Sequence, residues 1–182
     1  MDADQQLYNP DFRAPEWLLA NLVQVAGRAG RHTQGDDAGQ VLVQTRYPTH
    51  PILQALASAD SAAQETAWES LLEERQAAGL PPFGHLAAIR FSHRDASLAQ
   101  AKGLELTASI RATLAAQGQP TVMVFPPTPR YPDHQAGRSR WQVFLESSRR
   151  AELHAALDAA DAWLSQHRSL DPHVEIDPLN FS

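Results

Sequence analysis

Apolar residues in the second half of the chain follow two periods, one typical of strands and one of helices. Trp141, Val143 and Leu145 are spaced as on the inward side of a half-buried strand, and Ile110 and Leu114 as on one helix face. The pattern predicts strands at 86–91, 121–125, 140–146 and 173–177, helices at about 95–116 and 149–165, and a Pro-rich loop at 126–137. This βαββαβ order predicts a ferredoxin-like fold, in which two helices cover an antiparallel sheet.

The first half of the chain has a less regular pattern. We predict a loop over residues 1–16, a helix from Glu16 to Ala26, and a short strand in the β-branched stretch 40–45. Residues 52–78 are predicted to be helical, in two pieces that break around Asp60 and Ser61. The sequence GLPPFG (79–84) is a strong helix breaker and separates this half from the next. The expected fold class is therefore α/β in the broad sense, and α+β more narrowly.

Composition excludes several classes of site. The 182 residues include no cysteine, and no two of the eight histidines have the spacing that places both on one helix face, so we expect no metal site. The longest apolar runs are too short to cross a membrane, and the polar, acidic start is unlike a signal peptide, so we expect a cytoplasmic protein. A net charge of −6 argues against bulk attraction to nucleic acid, which leaves local patches.

One such patch is QVAGRAGR (24–31), at the end of the first predicted long helix. If the helix continues, Gln24, Arg28 and Arg31 share a face, and Gly27 lets a ligand approach closely. Such a set of an amide and two guanidinium groups fits a sensor of the γ-phosphate of a nucleotide. The structural alternative is that the cations interact with the helix dipole and that glycine ends the helix.

The stretch QVAGRAGR matches the last helicase motif of superfamily two, QxxGRxxR, at every defined position. Further segments occur with it in a fixed order: DADQQLYNPDFRAPE, GQVLVQTRYPTHPILQAL, ERQAAGLPPFG, GRSRWQ and VEIDP. Together they resemble the C-terminal part of the primosomal protein N′ (PriA) family of replication-restart DNA helicases, over essentially the whole chain. The resemblance implies that residues 1–46 end the second, RecA-like helicase lobe, 47–82 form a helical connector, and 83–182 form the ferredoxin-like C-terminal domain.

The resemblance also implies a nucleotide site and a reaction. Gln24, Gly27, Arg28 and Arg31 would face ATP, with Arg28 and Arg31 as the catalytic arginines at the γ-phosphate. The whole protein would use ATP and Mg²⁺ to unwind forked DNA in the 3′→5′ direction, restart replication and assemble the primosome. This chain has neither a GxxxxGK[ST] phosphate loop nor a DExx box, and the family's zinc module is missing from it. We therefore expect a fragment, or the product of a truncated or split gene, that does not hydrolyse ATP alone.

A second basic patch lies in residues 127–150, where five arginines and two carboxylates give a local net charge of +3. We predict that Arg138, Arg140 and Trp141 contact DNA, because arginines bind phosphates and aromatic rings stack on bases. The alternative is that Trp141 belongs to the core and the arginines are merely solvated.

The sequence SSRRAELH (147–154) predicts a third site. With Ser147 or Ser148 as N-cap, Arg149 and Arg150 lie in the first turn of a helix, where cations oppose the helix dipole. The resemblance implies that Arg150, with His154 one turn on, binds the carboxylate of the C-terminal tail of single-stranded-DNA-binding protein. Other primosome proteins would be partners as well, and a membrane would not. The alternative role for Arg150 is a solvated surface residue.

A function from another class remains open. The chain could be a stand-alone ferredoxin-like binding module without motor activity, which recognises a protein tail or a small ligand. That the sequence starts with Met favours this alternative, whereas the intact QVAGRAGR motif argues against it.

Overall fold

The computed structural model describes residues 3–9, 11–30, 40–58, 60–118, 121–178 and 181. Within these residues there are six α-helices and five β-strands, and the chain divides between Glu74 and Arg75 into two compact units. The region boundaries predicted after residues 46 and 82 stay predictions.

The first unit is built from helices. They are α1 (Ala3–Leu7), α2 (Ala14–Gly30), α3 (Pro51–Ala57) and the larger part of α4 (Ser61–Ala77). Pro51 starts α3, at the helix position that proline tolerates best. A small core joins α1, α2 and α3 and consists of Ala3, Leu18, Leu22 and Leu53, with Leu7 and Leu56 packed against it. The two predicted helical pieces within residues 52–78 are confirmed as α3 and α4.

Two predictions for this unit are wrong. The segment predicted as loop over 1–16 contains α1, and α2 already begins at Ala14. Residues 40–45 form no strand, because no strand among the described residues of this unit offers their backbone a partner. Apolar Leu42 of that stretch is 93% exposed. The stretch is held at one end by Asp4, whose carboxylate accepts hydrogen bonds from Thr45 Oγ1 (2.5 Å) and from the backbone N–H of Arg46 (3.0 Å).

The second unit is a sheet with two helices. Its elements are β1 (His85–His93), α5 (Ala96–Ala116), β2 (Met123–Val124), β3 (Thr128–Gln135), β4 (Arg138–Ser147), α6 (Arg150–Gln166), a short 3₁₀ helix (Arg168–Leu170) and β5 (His173–Ile176). The strand order is β2-β4-β1-β5, every pair is antiparallel, and β3 pairs with β4 as well. The α+β class is confirmed, and the strand order without β3 is that of a ferredoxin-like sheet.

The prediction of a loop at 126–137 is wrong, because Thr128–Gln135 forms strand β3. It forms a hairpin with β4 across a turn at Ala136 and Gly137, which both have positive φ (52° and 72°). The prolines of this segment suggested a loop. An edge strand tolerates proline, since the missing N–H would have faced solvent.

The two faces of the sheet differ in chemistry. Phe91 of β1 lies opposite Trp141 of β4, and both are buried on the face that α5 and α6 cover. Arg90, opposite Gln142, lies on the other face, which we call the open face. The core under the helices contains Ile89, Leu106, Ile110, Val143, Leu145 and Leu153, all at most 2% exposed. Helices α5 and α6 therefore cover one face of the sheet, whereas the open face combines polar Arg90 and Gln142 with buried Leu86 and Ala88.

Candidate nucleotide, DNA and partner sites

Helix α2 continues through most of the QVAGRAGR motif. Gln24 and Arg28 are exposed and one turn apart, and Gly27 lies on the same side between them. A Cβ added at Gly27 would meet no heavy atom of the described residues within 4 Å. Packing therefore does not require glycine at this position. Glycine inside a helix nevertheless costs about 1 kcal/mol relative to alanine, so Gly27 calls for another explanation. The arrangement presents an amide and a guanidinium beside a bare backbone, which a phosphate can approach.

The last position of the motif, Arg31, lies outside the described residues. The predicted face of Gln24, Gly27, Arg28 and Arg31 is therefore described for its first three members. Arg28 lies in the last turn of α2, so a favourable interaction with the helix dipole remains a second explanation for its position.

The arginines predicted to bind DNA lie at the start of β4 and contact the protein itself. Arg138 donates from Nε to Ser92 Oγ (2.8 Å) and from Nη2 to the Ser92 carbonyl (2.6 Å), so it ties β4 to β1. Arg140 donates from Nη1 to the Pro132 carbonyl (3.2 Å) and so holds the β3–β4 hairpin.

Trp141 lies in the core, with 8% of its surface exposed, and its Nε1–H donates to Ser139 Oγ (3.0 Å). A base cannot stack on this ring unless the core opens. The DNA-binding roles of Arg138, Arg140 and Trp141 stay predictions, but the structure favours a packing role for Trp141.

Sequence reasoning included Arg130 in the basic patch of 127–150 but missed Arg90, His173 and Glu175, which lie near Arg140 on the open face. Arg90, on β1, is 4% exposed and forms an ion pair with Glu175 of β5. Arg130 extends from β3, and His173 is the register partner of Arg90 on β5. A cleft of about 300 Å³ is lined by all of these except Glu175, together with Arg138 and Asp171. The only signal in the sequence was an arginine between two apolar residues of a strand, Ile89 and Phe91.

The electrostatics of this cleft are those of crowded cations. Burial lowers the pKa of Arg90 and that of Arg130, and the nearby positive charges lower both further. Burial, followed by Arg90 and Arg130, also lowers the pKa of His173, which favours its neutral form at neutral pH. An anion in the cleft would relieve this repulsion.

The start of α6 differs in one detail from the prediction. The N-cap is Arg149, not Ser147 or Ser148, because Ser147 ends β4 and bonds to the helix start from outside. Its hydroxyl accepts from the backbone N–H of Arg149 (3.1 Å) and donates to Glu152 Oε2 (2.8 Å). The hydrogen bond from Ser147, followed by one from Thr121, lowers the pKa of Glu152.

Arg150 and His154, the predicted carboxylate ligands, lie together on the exposed side of α6. Arg150 is the first helical residue, and its Nε donates to His154 Nε2 at 3.4 Å. Both side chains are exposed. The structure therefore brings this predicted pair together, and an incoming carboxylate can reach both side chains.

The described residues contain neither a candidate metal site nor a helix that could span a membrane. No group of three or more His, Cys, Asp or Glu side chains could hold a metal ion there. No helix there is long and apolar enough to span a membrane.

Comparison with known proteins identifies relatives of the whole chain. Residues 76–179 match the family model described as Primosomal protein N C-terminal domain. The Replication restart protein PriA of Haemophilus influenzae is 33% identical over 183 residues, which cover 100% of this chain and 24% of that protein. The same-named protein of Treponema pallidum is 35% identical over 181 residues, covering 98% of the chain and 26% of the relative. The same-named protein of Bacillus subtilis is 29% identical over 157 residues, which cover 86% of this chain and 18% of that protein.

The chain thus spans about a quarter of the length of the first two of these relatives. The matched family domain covers nearly all of the second unit, whose sheet and helices carry the open face and the start of α6. The family predicted from the ordered motifs is confirmed: the chain belongs to the PriA family of replication restart proteins and corresponds to their C-terminal part.

Proposed function

We propose that the chain serves as the C-terminal part of an ATP-dependent 3′→5′ DNA helicase that restarts stalled replication forks and assembles the primosome. The observation that carries the proposal is the exposed Gln24–Gly27–Arg28 face on α2 in a chain of the PriA family. The proposal places the protein in the cytoplasm.

In this proposal the face on α2 meets the γ-phosphate of ATP. Gln24 and Arg28 are exposed on one side of the helix and Gly27 adds no side chain, so the described residues fit a phosphate group. Arg28 and Arg31 supply positive charge to the transferring phosphoryl group. Mg²⁺ and the phosphate loop belong to the rest of the protein, and zinc has no site proposed in this chain.

A second role in the proposal is docking of single-stranded-DNA-binding protein at the start of α6. The acidic tail of that protein ends in a carboxylate, and a guanidinium binds carboxylates in a planar, two-point geometry. Arg150 is exposed and contacts His154, which supports their assignment as the ligands. Forked DNA and other primosome proteins are the further partners proposed.

ATP hydrolysis tests the proposal. The isolated chain should not hydrolyse ATP, since it has no phosphate loop. In a full-length protein that carries this sequence, Arg28→Ala and Arg31→Ala should each lower DNA-stimulated ATP turnover about 10³-fold or more and leave ATP binding in place. Arg168→Ala, which removes an exposed arginine of the second unit, is the control and should leave turnover unchanged. Unchanged turnover in both α2 variants would contradict the nucleotide role.

A second candidate function is a stand-alone ferredoxin-like binding module. The hydrophobic core of the second unit, which is complete within its own sheet and helices, favours it. Replacing Arg28 and Arg31 distinguishes the two functions. A binding module would still bind its ligands after the replacement and would have no ATPase activity to be affected.

A further inference from the structure

The open face of the sheet gathers arginines from three neighbouring strands. In the strand register Arg140 of β4 lies opposite Ser92, two residues from Arg90 on β1. Residues two apart on a strand share a face, so Arg90 and Arg140 are on the same side. Arg130 of β3 follows the pair Pro129–Trp141, where the register with β4 becomes irregular, and it lines the same cleft as Arg90 and Arg140. Sequence separation hides this group, since its members are brought together only by the pairing of β1, β4 and β3.

Charge in this group is unbalanced. Arg90 is paired with Glu175, and Asp171 also lines the cleft, but Arg130 and Arg140 form no ion pair with a described residue. The Nε of Arg130 is buried and has no hydrogen-bond partner among the described residues. A buried donor left without a partner is costly, so the site favours an acceptor brought by a ligand.

The cleft has the size and chemistry of a ligand site. Its volume, about 300 Å³, is at the lower end of the range of small-ligand pockets. Guanidinium groups converging from different strands suit the tetrahedral oxygens of a phosphate.

An exposed aromatic ring lies in the same edge strand as Arg130, outside the lining of the cleft. Tyr131 follows Arg130 in β3 and is 80% exposed, whereas Trp141 is buried. Exposed aromatic rings beside arginines bind single strands by stacking, and the stacking depends little on base identity.

We propose that the open face binds the backbone of a single DNA strand, with Arg130 and Arg140 on a phosphate, and that the DNA passes over the edge strand β3, where a base stacks on Tyr131. This inference rests on the proposed fork-DNA function. It replaces Arg138 and Trp141 by Arg130 and Tyr131 as the residues that contact DNA beside Arg140. Arg138 ties β4 to β1 and Trp141 belongs to the core, while Arg90, fixed by Glu175, supplies charge beneath the phosphate.

Anisotropy of a labelled fork with a single-stranded arm, titrated with the 182-residue chain at several salt concentrations, tests the phosphate contact. Arg130→Gln should weaken binding about tenfold at low salt and reduce the slope of log affinity against log salt by about 0.7–1. Arg149→Gln removes the same charge from an exposed site past the other end of β4, and should leave affinity within about twofold. An equal loss in both variants would overturn the site, because it would indicate bulk charge.

The aromatic contact is tested by a second pair. Tyr131→Ala should weaken binding of the single-stranded arm by about 5- to 100-fold, and Tyr131→Phe should bind like the unaltered chain. Equal affinities of the Ala and Phe variants would overturn the stacking role. Circular dichroism of each variant establishes that the fold is kept.

Failure of the proposed function and failure of this site give different experimental results. If the unaltered, folded chain shows no salt-dependent fork binding, the fork-DNA part of the proposed function fails together with this inference. If the unaltered chain binds the fork and the Arg130→Gln and Tyr131→Ala variants bind it with the same affinity as the unaltered chain, only this inference fails. If an acidic peptide displaces the DNA with at least the affinity of the DNA itself, the site is a protein-binding site and the inference is overturned.

Discussion

At the scale of single residues, the ion pair of Arg90 and Glu175 shows how the sheet tolerates a buried cation. Arg90 is 4% exposed, and its guanidinium is held by a carboxylate on the neighbouring strand β5. Removing one partner leaves a charge in a poorly hydrated place, which costs more than the pair itself contributes.

We therefore expect Glu175→Gln to lower the free energy of unfolding by about 1–2 kcal/mol, less than for a fully buried pair because the Glu175 side chain is 34% exposed. Urea unfolding followed by circular dichroism measures the change. Asp158→Asn, at an exposed position on α6, is the matched control and should change stability by less than about 0.5 kcal/mol. Equal stabilities of the two variants would contradict a structural role for the pair.

Two glutamates of the second unit have pKa shifts of opposite sign. Burial raises the pKa of Glu146 above its ordinary value of 4.5, so its ionised form is disfavoured in the folded state. The stability linked to Glu146 is therefore present below pH 4.5 and is lost as the pH rises through the folded-state pKa. The hydrogen bond from Ser147 lowers the pKa of Glu152, so its contribution is present above 4.5 and is lost on acidification.

The same substitution at these two positions should consequently act in opposite directions. Relative to the unaltered chain, Glu146→Gln should gain stability between pH 4 and pH 7, whereas Glu152→Gln should lose stability over that interval. Urea unfolding midpoints measured across this pH range provide the comparison. Curves that shift in the same direction for both variants would show that burial does not govern Glu146.

At the scale of elements, the junction of β4 and α6 depends on one serine. Ser147 is 3% exposed and bridges the backbone N–H of Arg149 and the carboxylate of Glu152, whereas its neighbour Ser148 is exposed. Ser147→Ala should therefore cost about 1 kcal/mol, the usual cost of losing a helix cap. Ser148→Ala controls for the change in composition and should be close to neutral. Chemical denaturation of both variants decides the matter, and a cost shared equally by the two would refute the bridging role.

The helices and strands were predicted correctly where the apolar periodicity is strong. The predictions were wrong where strand formation depends on a pairing partner. The stripe of Ile110 and Leu114 and the alternation of Trp141, Val143 and Leu145 correspond to α5 and β4 as observed. Strand β3 was missed because its prolines are typical of loops, and edge pairing with β4 is not visible in a single sequence. Residues 40–45 have strand-like composition, but no described strand of their unit pairs with them.

The candidate sites likewise differ in whether the sequence predicts them. A contiguous motif reveals the α2 face, and Arg150 and His154 are separated by one helical turn, so both sets could be predicted from spacing alone. Arg90 and Arg130 are forty residues apart and meet only through the strand register, which no local pattern encodes. Burial of Trp141 was likewise undecided by the sequence, because an aromatic residue on a strand suits a core and a stacking platform equally.

At the scale of the whole molecule, the second unit has two candidate anion-binding regions. Arg140 lies near the start of β4 and Arg150 directly after its end. Ser147, the last residue of β4, is seven positions after Arg140, which corresponds to roughly 23 Å at the usual rise of a strand. The arginines proposed for DNA and those proposed for the protein tail are therefore different sets, and the two ligands should bind together.

Separate sites for the protein tail and for DNA are best tested by the anisotropy of a labelled tail peptide of single-stranded-DNA-binding protein, titrated with the chain alone and with the chain saturated by fork DNA. We expect that the peptide binds, that Arg150→Ala weakens binding about tenfold or more, and that fork DNA leaves the peptide affinity unchanged within about twofold. Absence of peptide binding by the folded chain, or equal binding by Arg150→Ala, would contradict the proposed docking role. Displacement of the peptide by DNA would contradict the separation of the two sites.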